Sequence, residues 1–265
     1  MPIDLSSAWA KVSWAEHHLQ TLDAEIRQFL DSQPYEVIEE VDMNARDPFE
    51  HPAIDHTFRV RVKRERPPIW EAIIGDCLHN LRCSLDHLAW TLAGSSSGDS
   101  TTQFPIFDDL GKYERYAGRQ TALIPDEPLA IIKELQPYEA SRDDPRANAL
   151  WMLHDLERID KHRQLLILNT VTTRHFGAIK EKPADLIMGI DMLAGNTPFQ
   201  DGAVIARYQL TLDRDETPPN MQAEIKFSFD VAFDPKGPGR GEPVSQGLSK
   251  ISTHVAQVLK LFGDY

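Results

Sequence analysis

The stretch PPIWEAIIGDCLHNLRCSLDHLAWTLAG, residues 67–94, decides how the rest of the chain is read. Pro67 and Pro68 end what precedes them and open a helix, because proline is tolerated in a first turn whose N–H groups have no intrahelical partner. Trp70, Ile74, Cys77 or Leu78, Leu81, Leu85, Leu88 and Leu92 then recur at three- and four-residue spacing. This predicts an amphipathic helix from Ile69 to Ala93, stopped by Gly94 and followed by a flexible Ser95–Gly98 stretch. So long and regular a stripe belongs to a bundle. The other side carries Asp76, His79, Asn80, Cys83, Asp86, His87 and Trp90. A solvated face would be rich in Lys and Glu, whereas these are types found at interfaces and sites. The pattern predicts a face covered by another helix, a second subunit or a ligand.

Outward from this helix the periods alternate. Ala8, Val12, Ala15, Leu19, Leu22, Ile26 and Phe29 mark a first helix over about 5–30, ended by Gln33-Pro34. Residues 35–41 and 56–64 read as strands, the second with Phe58, Val60 and Val62 on one face and Arg59, Arg61 and Lys63 on the other. Phe104–Phe107 reads as an apolar loop tucked under the bundle, and short helices follow at 110–119 and 127–135. A second long helix, with Pro145 in its first turn, runs to about Leu168. Strands at 168–176, 186–193, 204–212 and 223–233 precede a last helix over 244–262. The expected fold is α+β, a helical bundle packed against a mostly antiparallel β-sheet. It forms a single intertwined domain over residues 1–265, with helical parts at 5–30, 67–168 and 244–262 and β parts at 35–64 and 168–233.

Composition narrows the function classes. At 265 residues the chain can bury a full core. No run approaches the roughly 18 apolar residues of a membrane span, and Met1–Asp4 lacks the features of a secretory signal, so no membrane association and a cytoplasmic location are expected. Cys77 and Cys83 lie about 9 Å apart along one helix, beyond the reach of a disulfide, which fits a reducing compartment. A formal charge of −13 argues against indiscriminate nucleic-acid binding but leaves room for a local basic site.

The polar side of the first-quoted helix holds the candidate chemistry. Arg82 neighbours His79 and Asp86, and His87 neighbours Asn80 and Cys83. Arg82 and His87 are five residues apart, about 140° around an ideal helix, so a joint site needs the reach of the Arg side chain, a helix distortion or a second copy of the chain. The segment Arg82-Cys83-Ser84-Leu85-Asp86-His87 resembles the signature of HEPN-superfamily proteins, an Arg and a His separated by four to six residues within a long bundle helix. The flanking His79-Asn80-Leu81-Arg82 and the segment His154–Arg163 resemble a bacterial group placed near that superfamily.

The resemblance covers the central helices and not the β segments. It implies a HEPN-like bundle and a metal-independent endoribonuclease, with no cofactor, acting as a homodimer on RNA, in some members as a toxin or phage-defence protein with an antitoxin or other protein partner. It also leaves open a non-catalytic protein that binds a nucleotide, a partner or a metal through the same seam. In the nuclease reading His87 moves the 2′-OH proton and Arg82 clamps the phosphoryl oxygens, with Asp86 orienting Arg82 and Asn80 contacting the phosphate or a ring nitrogen of His87. His79, Arg158, Lys161 and His162 would widen the substrate-binding surface, although charges on this second helix pair equally well with neighbouring helices. A different chemistry would use His79, Asp86, His87, His154 and His162, with Asp155, as N and O ligands of a bundle-core metal, but no Glu-x-x-His or His-Glu-x-x-His motif is present. The Arg59–Arg61–Lys63 face reads as an RNA-tracking strip or, more simply, a solvated sheet face. Gly237–Gly241 lacks a nucleotide-loop ending and reads as a flexible connection.

Overall fold

A computed structural model describes residues 3–94, 101–163, 167–175, 185–192, 197–212, 215–219 and 225–263. In chain order the elements are α1 (Ser6–Asp31), β1 (Tyr35–Arg46), β2 (Pro52–Val62), α2 (Ile69–Leu92), α3 (Leu110–Thr121), α4 (Asp126–Glu134), α5 (Pro137–Ala140), α6 (Ala149–His162), β3 (Ile167–His175), β4 (Leu186–Met192), β5 (Thr197–Pro198), β6 (Val204–Leu212), β7 (Ile225–Phe233) and α7 (Val244–Leu261). The mixed α+β class with antiparallel sheets is therefore as the periodicity predicts. The Ser95–Gly98 stretch lies outside the described residues. Where the sequence suggested one intertwined domain, the described chain falls into two compact units, each drawn from non-contiguous segments. One comprises residues 1–25, 67–167 and 233–265, the other 26–66 and 168–232.

In the helical unit α6 and α7 both pack on α2. Trp70, Ile74, Cys77, Leu78, Leu81, Leu85 and Leu88 of α2 are fully buried, as are Leu150 and Leu153 of α6 and Leu248, Ile251, Val255 and Leu259 of α7. Each such aliphatic side chain contributes about 1.5–3 kcal/mol relative to exposure, so this three-helix seam dominates the unit. The helix expected from Pro145 to Leu168 is shorter at both ends. Pro145–Ala147 forms a 3-10 turn, and Asn148 caps α6 by accepting from Leu150 N at 2.9 Å. Arg163 then turns to an extended conformation, and Ile167 already belongs to β3. A short polar side chain at Asn148 satisfies an orphan N–H that a continuation from Pro145 would have left to the preceding turn.

The Gly237–Gly241 segment is also corrected, from a flexible connection to a hydrogen-bonded turn. Gly237 N donates to Asp234 O, Glu242 N to Gly239 O and Phe233 N to Glu242 O, and Arg240 Nη2 reaches Asp144 Oδ1 at 3.1 Å. Gly239 sits against the buried Phe233 ring, leaving no room for a Cβ.

The β unit holds a four-stranded sheet in the order β1-β2-β6-β4, antiparallel throughout, and a three-stranded sheet in the order β5-β3-β7. Alternation along β2 places Ile54, His56, Phe58 and Val60 inward. Ring contacts Phe58–Phe227 and Tyr35–Phe229 join the two sheets. On the outer face Arg59 pairs with Glu40 at 2.9 Å and Arg61 with Glu36 at 3.7 Å, both from β1. These two cations are thus neutralised across the strand pair, the simpler of the two readings of that face.

Two glycine substitutions separate close packing from open surface. Gly239→Ala is expected to lower the unfolding free energy by about 1–3 kcal/mol, because a methyl group must displace the Phe233 ring. Gly118→Ala, in α3 with nothing near the added Cβ, should instead raise it by up to about 1 kcal/mol. Urea midpoints of the two variants check the contrast.

Candidate functional site

Arg82 enters the helical core on the flank of α2 and is only 9% exposed. Its Nη2 donates to Asp86 Oδ1 at 2.9 Å and to Phe104 O at 2.8 Å, while Phe104 N donates to the same Asp86 oxygen at 3.0 Å. The ion pair expected between Arg82 and Asp86 therefore exists, and together the two side chains hold both backbone polar groups of Phe104. Gln136 does the same for the next part of the loop. Its Nε2 donates to Pro105 O at 2.8 Å and its Oε1 accepts from Phe107 N at 3.1 Å. Pinned at both ends, the loop buries Phe104 and Ile106 as the apolar run predicts.

A cleft of about 430 Å³ opens beside this loop, walled by Phe104 and Phe107, Lys112 and Tyr116 of α3, and Trp151, His154, Arg158, Lys161 and His162 of α6, with Arg82 at its base. Its lining holds four cations, Arg82, Lys112, Arg158 and Lys161, against two carboxylates, Asp108 and Glu157. Lys112 and Arg146 both reach Asp108, whose pKa burial would raise but which those hydrogen bonds hold below the usual range. Lys161 pairs with Glu157 and Arg158 with Asp155. Arg82 Nη1, by contrast, is buried with no hydrogen-bond partner among the described residues. So is Gln120 Oε1, on the same lining. His154 is half-buried beside Trp151, with ring centroids 5.4 Å apart. Burial, helped by the Arg82 charge and opposed by Asp155 and Glu157, holds its pKa below the ordinary imidazole value.

The cleft gathers Arg82, Arg158, Lys161 and His162 from the nuclease set and His154 from the metal alternative, and leaves His87, Asn80 and His79 elsewhere. His87 contacts Ser7 Oγ of α1 through Nδ1 at 3.2 Å and makes no contact with Arg82 among the described residues. Asn80 neither touches His87 nor faces the cleft. Its Oδ1 accepts from Lys11 Nζ at 3.2 Å and its Nδ2 donates to Asp76 O. His79 lies exposed near Glu157. The polar seam is therefore partly covered by α1, and Arg82 and His87 diverge within one chain, as 140° of helix rotation dictates. The alternative metal set, His79, Asp86, His87, His154 and His162, is not assembled. Among the described residues no group of three or more His, Cys, Asp or Glu side chains is placed to hold a metal ion.

Sequence reasoning missed Lys112, Tyr116, Gln120 and Trp151. The only local signal was Trp151, one turn before His154; the rest depend on how α3 folds back across α6. No family model matches this chain, and neither does any curated protein or solved structure. Among the described residues no helix is long and apolar enough to cross a membrane.

Two predictions follow from this geometry. Removing Asp86 as Asp86→Ala strands a buried guanidinium and should cost about 3 kcal/mol, the low end for breaking a buried pair because Asp86 keeps some solvent contact. His87→Ala should stay within about 0.5 kcal/mol of the parent in the same urea titration. His154 and His254 are both held below the ordinary imidazole value by burial. The unfolded chain binds more protons than the folded one just below about pH 6.5, so stability rises with pH there and is lost on acidification. Unfolding free energies at pH 7.5 and 5.5 should show this fall, and His154→Gln should reduce its size.

Proposed function

We propose that this protein binds the phosphate of an RNA or nucleotide in the Arg82 cleft and cleaves RNA without a metal, with Arg82 as phosphate clamp and His154, rather than His87, as the base. The observation that carries this reading is the buried, unpartnered Nη1 of Arg82 at the base of a cation-rich cleft. A desolvated guanidinium donor left unmade is costly, and a phosphoryl oxygen is the acceptor that suits it best. The lowered pKa of His154 supports the assignment of the base, since the ring stays neutral at pH 7 and can take the 2′-OH proton. Charge on the phosphorane would fall to Arg82 and Lys161, and the departing 5′-oxygen would take its proton from His162 at the rim.

A second reading has its own support. The Asp86–Phe104 contacts give Arg82 a holding role independent of any ligand, which suits a non-catalytic nucleotide-binding protein. In the HEPN-like arrangement, His87 of a second copy would complete the site.

Incubation with total RNA, with and without EDTA, separates these readings. The proposal expects cleavage that survives chelation, falls about a hundredfold in His154→Gln and persists in His87→Ala. Loss in His87→Ala with His154→Gln unaffected would move the reaction to a dimeric Arg82–His87 pair. No cleavage, with nucleotide binding that weakens in Lys161→Ala and at high salt, would leave a binding protein.

A further inference from the structure

A second cluster, carried by α2, shares only Glu157 with the cleft lining. Cys83 Sγ lies 3.4 Å from His79 Nε2, one helical turn away, and His79 Nδ1 lies 3.9 Å from Glu157 Oε1 on α6. Glu157 is buried and paired with Lys161, His79 is exposed, and Cys83 is half-buried. A nucleophile, an imidazole in contact with it and a buried carboxylate behind the other ring nitrogen are the parts of a proton relay. The remaining charges around the thiol are Lys11 of α1, Asp86 of α2 and Lys161 of α6. Burial, with Asp86 and Glu157, pushes the Cys83 thiol up against the opposing pull of Lys11 and Lys161. At neutral pH it is therefore a protonated thiol that needs a base in contact to react. Cys77, the chain's other cysteine, lies on the core side of the same helix, where it donates to Ala15 O and burial pushes it up to about 12.

We infer that Cys83 is a thiol-modification site for small disulfides of the glutathione class, with His79 as general base and Glu157 orienting its ring. His79 takes the thiol proton as the Cys83 sulfur attacks one sulfur of the disulfide. The reagent's S–S bond breaks as the new one forms, and the departing thiolate recovers the proton from His79. The disulfide is the oxidant, and the products are a mixed disulfide on Cys83 and one free thiol. Cys77 cannot resolve this adduct, because six residues of helix hold the two sulfurs apart. The adduct therefore persists until an external thiol removes it. Glu157 and Lys161 also line the cleft, so the modification sits behind one of its walls.

The full chain is incubated with oxidised glutathione and followed by intact-mass spectrometry and peptide mapping. The expected result is one dithiothreitol-reversible adduct on Cys83 and none on Cys77. His79→Gln should slow its formation roughly a hundredfold and remove the imidazole limb from the pH profile of the rate. His79 is exposed, so this variant tests the relay without disturbing the core; Glu157→Gln, with its fold checked by thermal melting, should also slow the reaction. An unchanged rate in His79→Gln, or labelling of Cys77 in step with Cys83, overturns the inference. A Cys83 rate no higher than in the urea-unfolded chain overturns it as well.

Discussion

A guanidinium carried into a helical core must find its acceptors there, and in this protein that requirement organises the ground around the cleft. Arg82 meets Asp86 on its own helix and the carbonyl of Phe104 on the connection that follows. Asp86 completes the bracket by accepting from Phe104 N, and Gln136 repeats the device one step further along. Because the loop is drawn in by polar brackets as well as by burial of Phe104 and Ile106, α3 starts from a fixed point. That fixed start brings Lys112 and Tyr116 to the opposite wall from α6. The cleft is thus a by-product of satisfying one buried charge, and the group left over after that satisfaction, Arg82 Nη1, is buried on the residue that lines the space created.

Local charge decides what such a space can hold, and total charge does not. The chain carries −13 overall, yet the two places where cations cluster behave differently. On the outer face of β2, Arg61 stands opposite Glu36 of β1 and Arg59 pairs on the diagonal with Glu40, so these two cations are cancelled where they stand. On the cleft lining the cations outnumber the carboxylates and one donor is left unanswered. The difference comes from geometry: antiparallel partners face each other residue by residue, whereas side chains from three helices converge without such matching.

Periodicity made the elements legible because each of them buries one face. The 3.6-residue stripe of α2 and the two-residue alternation of β2 were both written in apolar residues, and α7 closes within a residue of its predicted end. Boundaries that rest on polar detail were less visible. The cap at Asn148 moved the start of α6, since a proline at 145 offered an equally good first turn. The candidate site was legible only in part. Arg82 and Asp86 could be paired from their spacing, but the Phe104 carbonyl lies 22 residues further on and Ser7, the partner of His87, lies 80 residues back. Contacts at that separation depend on tertiary packing, which no helical wheel contains. His154 belonged to the metal alternative in the sequence; the structure places it on the cleft lining, where burial lowers its pKa.

The order of segments along the chain carries a cost at synthesis. Val244, Leu248, Ile251, Val255 and Leu259 fill the seam that α2 and α6 leave open, and they are synthesised after both of those helices. Until then both earlier helices present uncovered leucines, while the strands β1 to β7 have already been made. Such a nascent chain is a natural client for holding chaperones, and its yield on expression should depend on how long that interval lasts.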